Sequence, residues 1–311
     1  IVKKKTEVKR QKDVCVKEQN LQSFEVINPL PVPFDEGIAD VPAFTANAGA
    51  TAYGAFLDAF LPDIVHVHTL MGLHKSFLQA TKNRKIRLVF TAHDFFPICP
   101  KVTMFRHGAI CSNVKNYEAC GVCNATALDL KKIHILQSPI YRCLKDLSVV
   151  KKLRKKHRDD YLSEATVDDS VIPVGSVEDY RKLRNYYYSL LKLMDMIHYN
   201  SSVTRSVYES VFDLPQHCLV AITHADINDN RRIKEFSDGR LHIRYLGPQS
   251  GSKGYFLLKK ALDQLWEKEK EFCLDVHFRP IEMAPYIEVH PRYAYGELET
   301  IFEQTGGTYT M

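Results

Sequence analysis

Two short β-branched runs, each leading into a histidine and separated by a helical stretch, constrain this chain more than any other feature. After the turn pair Pro62 and Asp63 come Ile64, Val65 and Val67; further on come Leu88, Val89 and Phe90. Between them, Leu73 to Ala80 carries a helical pattern, so the segment reads as a βαβ unit. In an open parallel sheet, ligands gather at the carboxyl ends of the strands. His68 and His93 each follow a strand directly, with His66 inside the first strand and Asp94 next to His93. A neutral imidazole there can donate or accept a hydrogen bond and titrates near neutrality. The usual fate of a lone histidine is to be satisfied by nearby backbone, but two of them after neighbouring strands, one beside Asp94, favour a site.

The 311 residues, 45% hydrophobic and 25% charged, suffice for two domains with real cores. A polar, turn-rich stretch at 226–240 reads as the linker, dividing the chain into 1–230 and 231–311. The opening IVKKKTEVKR has no apolar segment behind its charges and does not read as a secretory signal; no apolar stretch is long enough to span a membrane. The net charge of +5 is too mild to point to nucleic acid by itself.

Along the chain, Phe24 to Ile27 predicts a strand ended by Asn28 and Pro29, and Ala50 to Leu61 a helix. Ile133, Leu136, Ile140, Leu144, Leu147, Val150 and Leu153 recur at helical spacing, with Pro139 expected to interrupt them. Ser176 with Asp179 is a capping box opening a helix through Tyr186, Tyr187 and Tyr188, whose rings are expected to pack. Met196–Tyr199 and Leu219–Ile222 predict strands. In the second part, His242–Leu246 and Phe272–Phe278 predict strands, and Gly254–Trp266 and Gly296–Gln304 helices. Tyr286, His290, Arg292 and Tyr293 fall in a loop.

Three features suggest chemistry. Cys99, Cys111, Cys120 and Cys123 occupy one loop, 99–123, and end in a CxxC half-site. The reading favours a structural zinc over free thiols, with disulfides third. Cys15, Cys143, Cys218 and Cys273 are scattered and read as buried apolar residues. The stretch 131–158 holds ten Lys or Arg against Asp146 alone. It suits a solvated helix face or an anionic membrane surface, and the density of like charge in KKLRKKHR favours the membrane. The loop GPQSGSKG, 247–254, joins a strand to a helix; Gly247, Gly251 and Gly254 permit close backbone approach, and Lys253 adds a charge. That suits a diphosphate, although it is no P-loop and such loops are also common surface turns.

"PDIVHVHTLMG", "VFTAHDFFPICP", the spaced cysteines and "HIRYLGPQSGSKG" together resemble bacterial polysaccharide glycosyltransferases of family 4, over most of the chain from about Phe24. The resemblance implies a GT-B fold, two Rossmann-like, doubly wound parallel-sheet domains, the second incomplete. It implies a retaining hexosyltransferase using a UDP- or GDP-sugar, without a catalytic metal, to extend a polyprenyl-linked or oligosaccharide acceptor of a capsule or exopolysaccharide. The acceptor would sit on the first domain and the donor on the second, with the enzyme peripheral on the cytoplasmic face of the plasma membrane through 131–158. His93 and Asp94 would be catalytic, His68 acceptor-side, and Gly247, Lys253 and Gly254 donor-binding. The family's Gly-Arg pair is Gly247 and Pro248 here, so one expected cation is missing. No opening βα unit is recognisable, and no ExxxxxxxE motif precedes Met311, so the chain is expected to be a fragment that does not turn over. Two other classes compete: a zinc-stabilised nucleic-acid-binding protein, disfavoured because no aromatics interleave the basic run, and a non-catalytic membrane scaffold.

Overall fold

The computed structural model describes residues 6–10, 22–34, 36–106, 109–112, 114–154, 172–214, 216–221, 238–298, 300–301 and 308–310. The described residues form two compact units, one running to residue 221 and the other from residue 238. Residues 155–158 of the basic stretch and 226–237 of the expected linker lie outside the description, as does Cys15.

The first unit is built on a parallel sheet in the order β3-β4-β7-β8, formed by Ile64–Val67 (β3), Arg87–Ala92 (β4), Met196–Tyr199 (β7) and His217–Leu219 (β8). The central strand β4 is buried from Leu88 to Ala92, as expected of a strand covered on both faces. A separate antiparallel ribbon pairs Glu7–Arg10 (β1) with Phe24–Ile27 (β2). The helix Thr51–Phe60 ends where Leu61 adopts a left-handed turn (φ 45°) whose amide bonds Leu57 carbonyl, just ahead of Pro62. The helix Lys75–Asn83 then connects β3 to β4, completing the expected βαβ unit.

Pro139 does break the long helical pattern. Helices Leu130–Leu136 and Pro139–Leu144 are separate, and Ser138 caps the second by accepting the Tyr141 amide, with proline at the first helical position. The helix Val177–Leu191 opens on the capping box Ser176/Asp179. Its tyrosines pack: Tyr187 is buried and donates to Phe44 carbonyl at 3.1 Å, while Tyr188 stacks on Phe212.

The second unit carries a parallel sheet in the order β11-β10-β9-β12: Leu241–Tyr245 (β9), Phe272–Val276 (β10), Ile287–Val289 (β11) and Thr308–Thr310 (β12). This is the 3-2-1-4 arrangement of a doubly wound half. Ile243, Tyr245, Leu274, Val276 and Ile287 face the apolar core against the helix Tyr255–Trp266. Alternate residues face the other way, and the register places His242 beside Cys273, and Asp275 between Arg244 and Glu288. This face is polar, unlike that of an ordinary parallel sheet.

The expected α/β class, with two parallel-sheet units, is what the backbone shows. Several boundaries differ. β8 lies at His217–Leu219 rather than Leu219–Ile222, and β10 stops at Val276. The expected helix at 296–304 begins as a 3-10 turn at Tyr295–Glu297. Cys143 is exposed and Cys218 half-buried, against the expectation that both are core residues; among the described cysteines only Cys273 is fully buried.

Candidate functional site

The strand pleat assembles a histidine cluster at the carboxyl edge of the first sheet. Side chains two residues apart on a strand share a face, so His66 and His68 from β3 meet Thr91 and His93 from β4, and His198 on β7 pairs with Thr91. His66 Nε2 lies 2.8 Å from Thr91 Oγ1, and its ring is 4.1 Å from that of His68 and 5.7 Å from that of His198. His68 Nδ1 and His93 Nε2 lie 2.9 Å apart with their rings stacked, so one nitrogen donates and the other accepts. Desolvation, and then the neighbouring imidazoles His68, His198 and His93, hold His66 below its ordinary value. His68 and His93 are exposed. A surface pair that shares a proton can accept one from a ligand hydroxyl and pass it on.

Asp94 behaves differently from His93. Its carboxylate turns back to accept the Phe96 amide at 2.9 Å, and its backbone carbonyl accepts from the Tyr208 hydroxyl at 2.8 Å. Burial pushes its carboxyl up from the usual carboxylate range. These bonds make Asp94 the brace of the turn that presents His93. His198 and Thr91 join the cluster only because β7 lies beside β4, a pairing that neither "MIHY" nor "VFTAH" reveals by itself.

His74, by contrast, is a core histidine. It is 5% exposed and hydrogen-bonds the Tyr53 hydroxyl through Nδ1 at 2.7 Å.

The cysteine loop folds into a small hairpin, Phe105–Arg106 (β5) with Ala109–Ile110 (β6), followed by a short helix, Glu118–Cys123. Asn124 pins it from inside, accepting the Ile38 amide and donating to Cys120 carbonyl, both at 2.9 Å. Arg184 covers the Tyr117 ring at 4.4 Å and donates to Ile98 carbonyl. The four thiols are gathered closely enough that Cys123, Cys111 and Cys120 all act on Cys99, whose thiol is pushed up to about 12, mainly by burial. Among the described residues, the sets of three metal-ligating atoms within 4.8 Å of one another lie elsewhere. All described cysteines are free of disulfides.

In the second unit, the glycine loop follows β9 as expected. Gly254 sits at φ 79°, where a Cβ would be strained although the surrounding space is open. Gly247 packs against the Tyr245 ring so tightly that a Cβ would come within 2.7 Å of its oxygen. The turn uses more of its own amides than the sequence suggested: those of Lys253 and Tyr255 bond Ser250 carbonyl, and that of Gly254 bonds Gly251 carbonyl. An anion would therefore meet the amides of Phe256 and Leu257, which have no acceptor within the helix, and the exposed Lys253 side chain. Pro248, at the position where the resemblance expects arginine, accepts the Tyr245 hydroxyl at 2.9 Å.

No protein-family model matches the chain, and no curated protein matches it. Among solved structures, a Listeria monocytogenes protein described as a UDP-N-acetylglucosamine 2-epimerase aligns with 86% of this chain at 9% identity, with a TM-score of 0.30. The chain spans 56% of the length of that protein. At that TM-score the likeness carries no information about activity.

Proposed function

We propose that this chain belongs to a GT-B glycosyltransferase that moves a sugar, with retention, from a UDP- or GDP-sugar to a polyprenyl-linked or oligosaccharide acceptor. The observation that carries the reading is the cluster of four imidazoles at the carboxyl edge of a parallel sheet, the edge at which such sheets bind ligands. His93 and His68 receive the hydroxyl-rich substrate and hold its proton, while Asp94 keeps their turn in place. Lys253 and the amides of Phe256 and Leu257 stabilise the leaving diphosphate, an electrostatic contribution that requires no metal.

The basic stretch supports a membrane contact better than a nucleic-acid one. Ile135, Ile140, Leu144, Leu147, Val149 and Leu153 are all exposed among Lys131, Lys132, Lys145, Lys151 and Lys152. Apolar residues displayed beside cations suit a headgroup boundary, whereas a duplex or single strand would call for aromatics or an uninterrupted polar face. Among the described residues no helix is long and apolar enough to cross a membrane. In this reading Cys99, Cys111, Cys120 and Cys123 would hold a structural zinc that stabilises the loop, although no three of their sulfurs lie within 4.8 Å of one another.

Calorimetric titration with UDP-, GDP- and ADP-sugars tests the proposal, with Lys253→Ala alongside. One donor is expected to bind. Loss of one charge-assisted contact, worth about 1.5–3 kcal/mol, should weaken it by about 10- to 150-fold. Absence of binding to any donor, or equal binding by Lys253→Ala, contradicts the assignment of this loop.

A further inference from the structure

The polar face of the second sheet holds a constellation that the transferase reading does not use. His242 on β9 and Cys273 and Asp275 on β10 converge: His242 Nδ1 lies 3.1 Å from Cys273 Sγ and 3.3 Å from Asp275 Oδ2. Zinc bonds of about 2.0–2.1 Å to nitrogen or oxygen and about 2.3 Å to sulfur separate tetrahedral ligands by about 3.3–3.6 Å. The 3.3 Å between nitrogen and oxygen meets that range, and the 3.1 Å between nitrogen and sulfur falls short of it, so the sulfur would move outward by about 0.5 Å on binding. We propose that His242, Cys273 and Asp275 form a zinc site with three protein ligands and a fourth position for water.

A second observation supports a metal independently. The other nitrogen of His242, Nε2, lies 3.0 Å from Asp238 Oδ2. A carboxylate on the outer nitrogen fixes the imidazole tautomer and leaves Nδ1 with its lone pair directed at Cys273 and Asp275, the arrangement that supports metal-bound histidines. Cys273 and Asp275 are 0% and 2% exposed, while His242 reaches the surface and gives an ion a way in. Metal binding at this site breaks the Cys273 S–H bond, releases that proton to solvent and forms an S–Zn bond.

Thiolate, imidazole and carboxylate together select zinc over the hard ions magnesium and calcium. Arg244 stands 3.5 Å from Asp275 Oδ2 and offsets part of the negative charge, which Asp238 and Glu288 in turn increase. Asp275 Oδ1 also meets His290 Nε2 at 2.6 Å, with Glu288 nearby. Arg240 holds both Glu288 at 3.0 Å and Asp238 at 2.9 Å, so the sides are told apart by the thiol of Cys273, a soft ligand that the His242 side alone of these two sets offers to zinc.

The test uses the full chain carrying Cys120→Ser and Cys123→Ser, which removes the CxxC half-site from the loop. Cobalt(II) is titrated in while the thiolate-to-cobalt absorption band is recorded. One equivalent should bind with that band, and zinc should displace it. Cys273→Ser should abolish the band, and Asp238→Asn, a change at the surface that leaves the core intact, should weaken affinity by about 10- to 100-fold. Absence of the band, its survival in Cys273→Ser, or unaltered affinity in Asp238→Asn would overturn the proposal.

Discussion

Replacing Tyr208 by phenylalanine removes a single oxygen, and the structure indicates what that oxygen does. Tyr208 is 0% exposed, and its hydroxyl donates to Asp94 carbonyl at 2.8 Å. Its ring packs beside Tyr199 at 5.7 Å and Phe95 at 6.3 Å, contacts that phenylalanine retains. The loss is therefore the hydrogen bond plus the desolvation of a carbonyl left without its donor, about 1–3 kcal/mol together. In a unit of this size the melting temperature falls by about 2–4 °C per kcal/mol. Tyr188→Phe is the matched control, because its hydroxyl donates to Asp213 carbonyl at 2.7 Å but in an exposed setting where water can replace it. Urea and thermal unfolding, followed by far-UV circular dichroism, should show a clear loss for Tyr208→Phe and less than about 0.5 kcal/mol for Tyr188→Phe. The His93 imidazole resonance should move only in the first. Equal losses in both variants, or no loss in Tyr208→Phe, would refute the claim that burial sets the cost and that this bond braces the His93 turn.

Acid should weaken the fold before the carboxylates titrate. His66 and His74 are held below their ordinary 6.5, mainly by desolvation, so the folded state favours their neutral forms. Their contribution is fully present above pH 6.5 and is lost as pH falls below it, because the unfolded chain then binds more protons; urea midpoints between pH 7.5 and 5.5 should decline, and less steeply in His74→Gln. Gly254→Ala forces a side chain into a left-handed turn at φ 79° with no steric contact nearby, so about 1–2 kcal/mol should be lost through backbone strain alone, read as a lower unfolding midpoint. Changing Lys131, Lys145, Lys151 and Lys152 together to serine should reduce partitioning onto phosphatidylserine vesicles by about a thousandfold at about 1 kcal/mol per charge, with no change on phosphatidylcholine. Equal loss on both vesicle types would show that the charges do not matter.

The parts of this fold legible in the sequence are those where one local force dominates. β4 was visible because it is apolar and covered on both faces, and the Ser176/Asp179 box and the Pro139 break because capping and the missing amide act within one turn. β1 and β11 were hidden because Glu7–Arg10 and Ile287–Val289 carry too few apolar residues to show a period, and only pairing with β2 and β10 makes them strands. Of the histidine cluster, His68 and His93 were readable as polar ends of apolar runs. His198 was not, since its membership depends on β7 lying beside β4, a long-range pairing that no local pattern encodes. Cys273 was correctly expected to be buried, but its neighbour His242 comes from another strand, so burial alone suggested an inert thiol.

The central claim is that the imidazoles at the edge of the first sheet receive a sugar. Long-range nitrogen-15 spectra of the histidine rings, recorded as a nucleotide sugar is added, test it most directly. The account predicts that the His68 and His93 resonances shift saturably with the sugar-bearing donor, less with the free nucleotide, while the buried His74 stays still. A donor that binds while His68 and His93 remain unmoved would place the chemistry elsewhere.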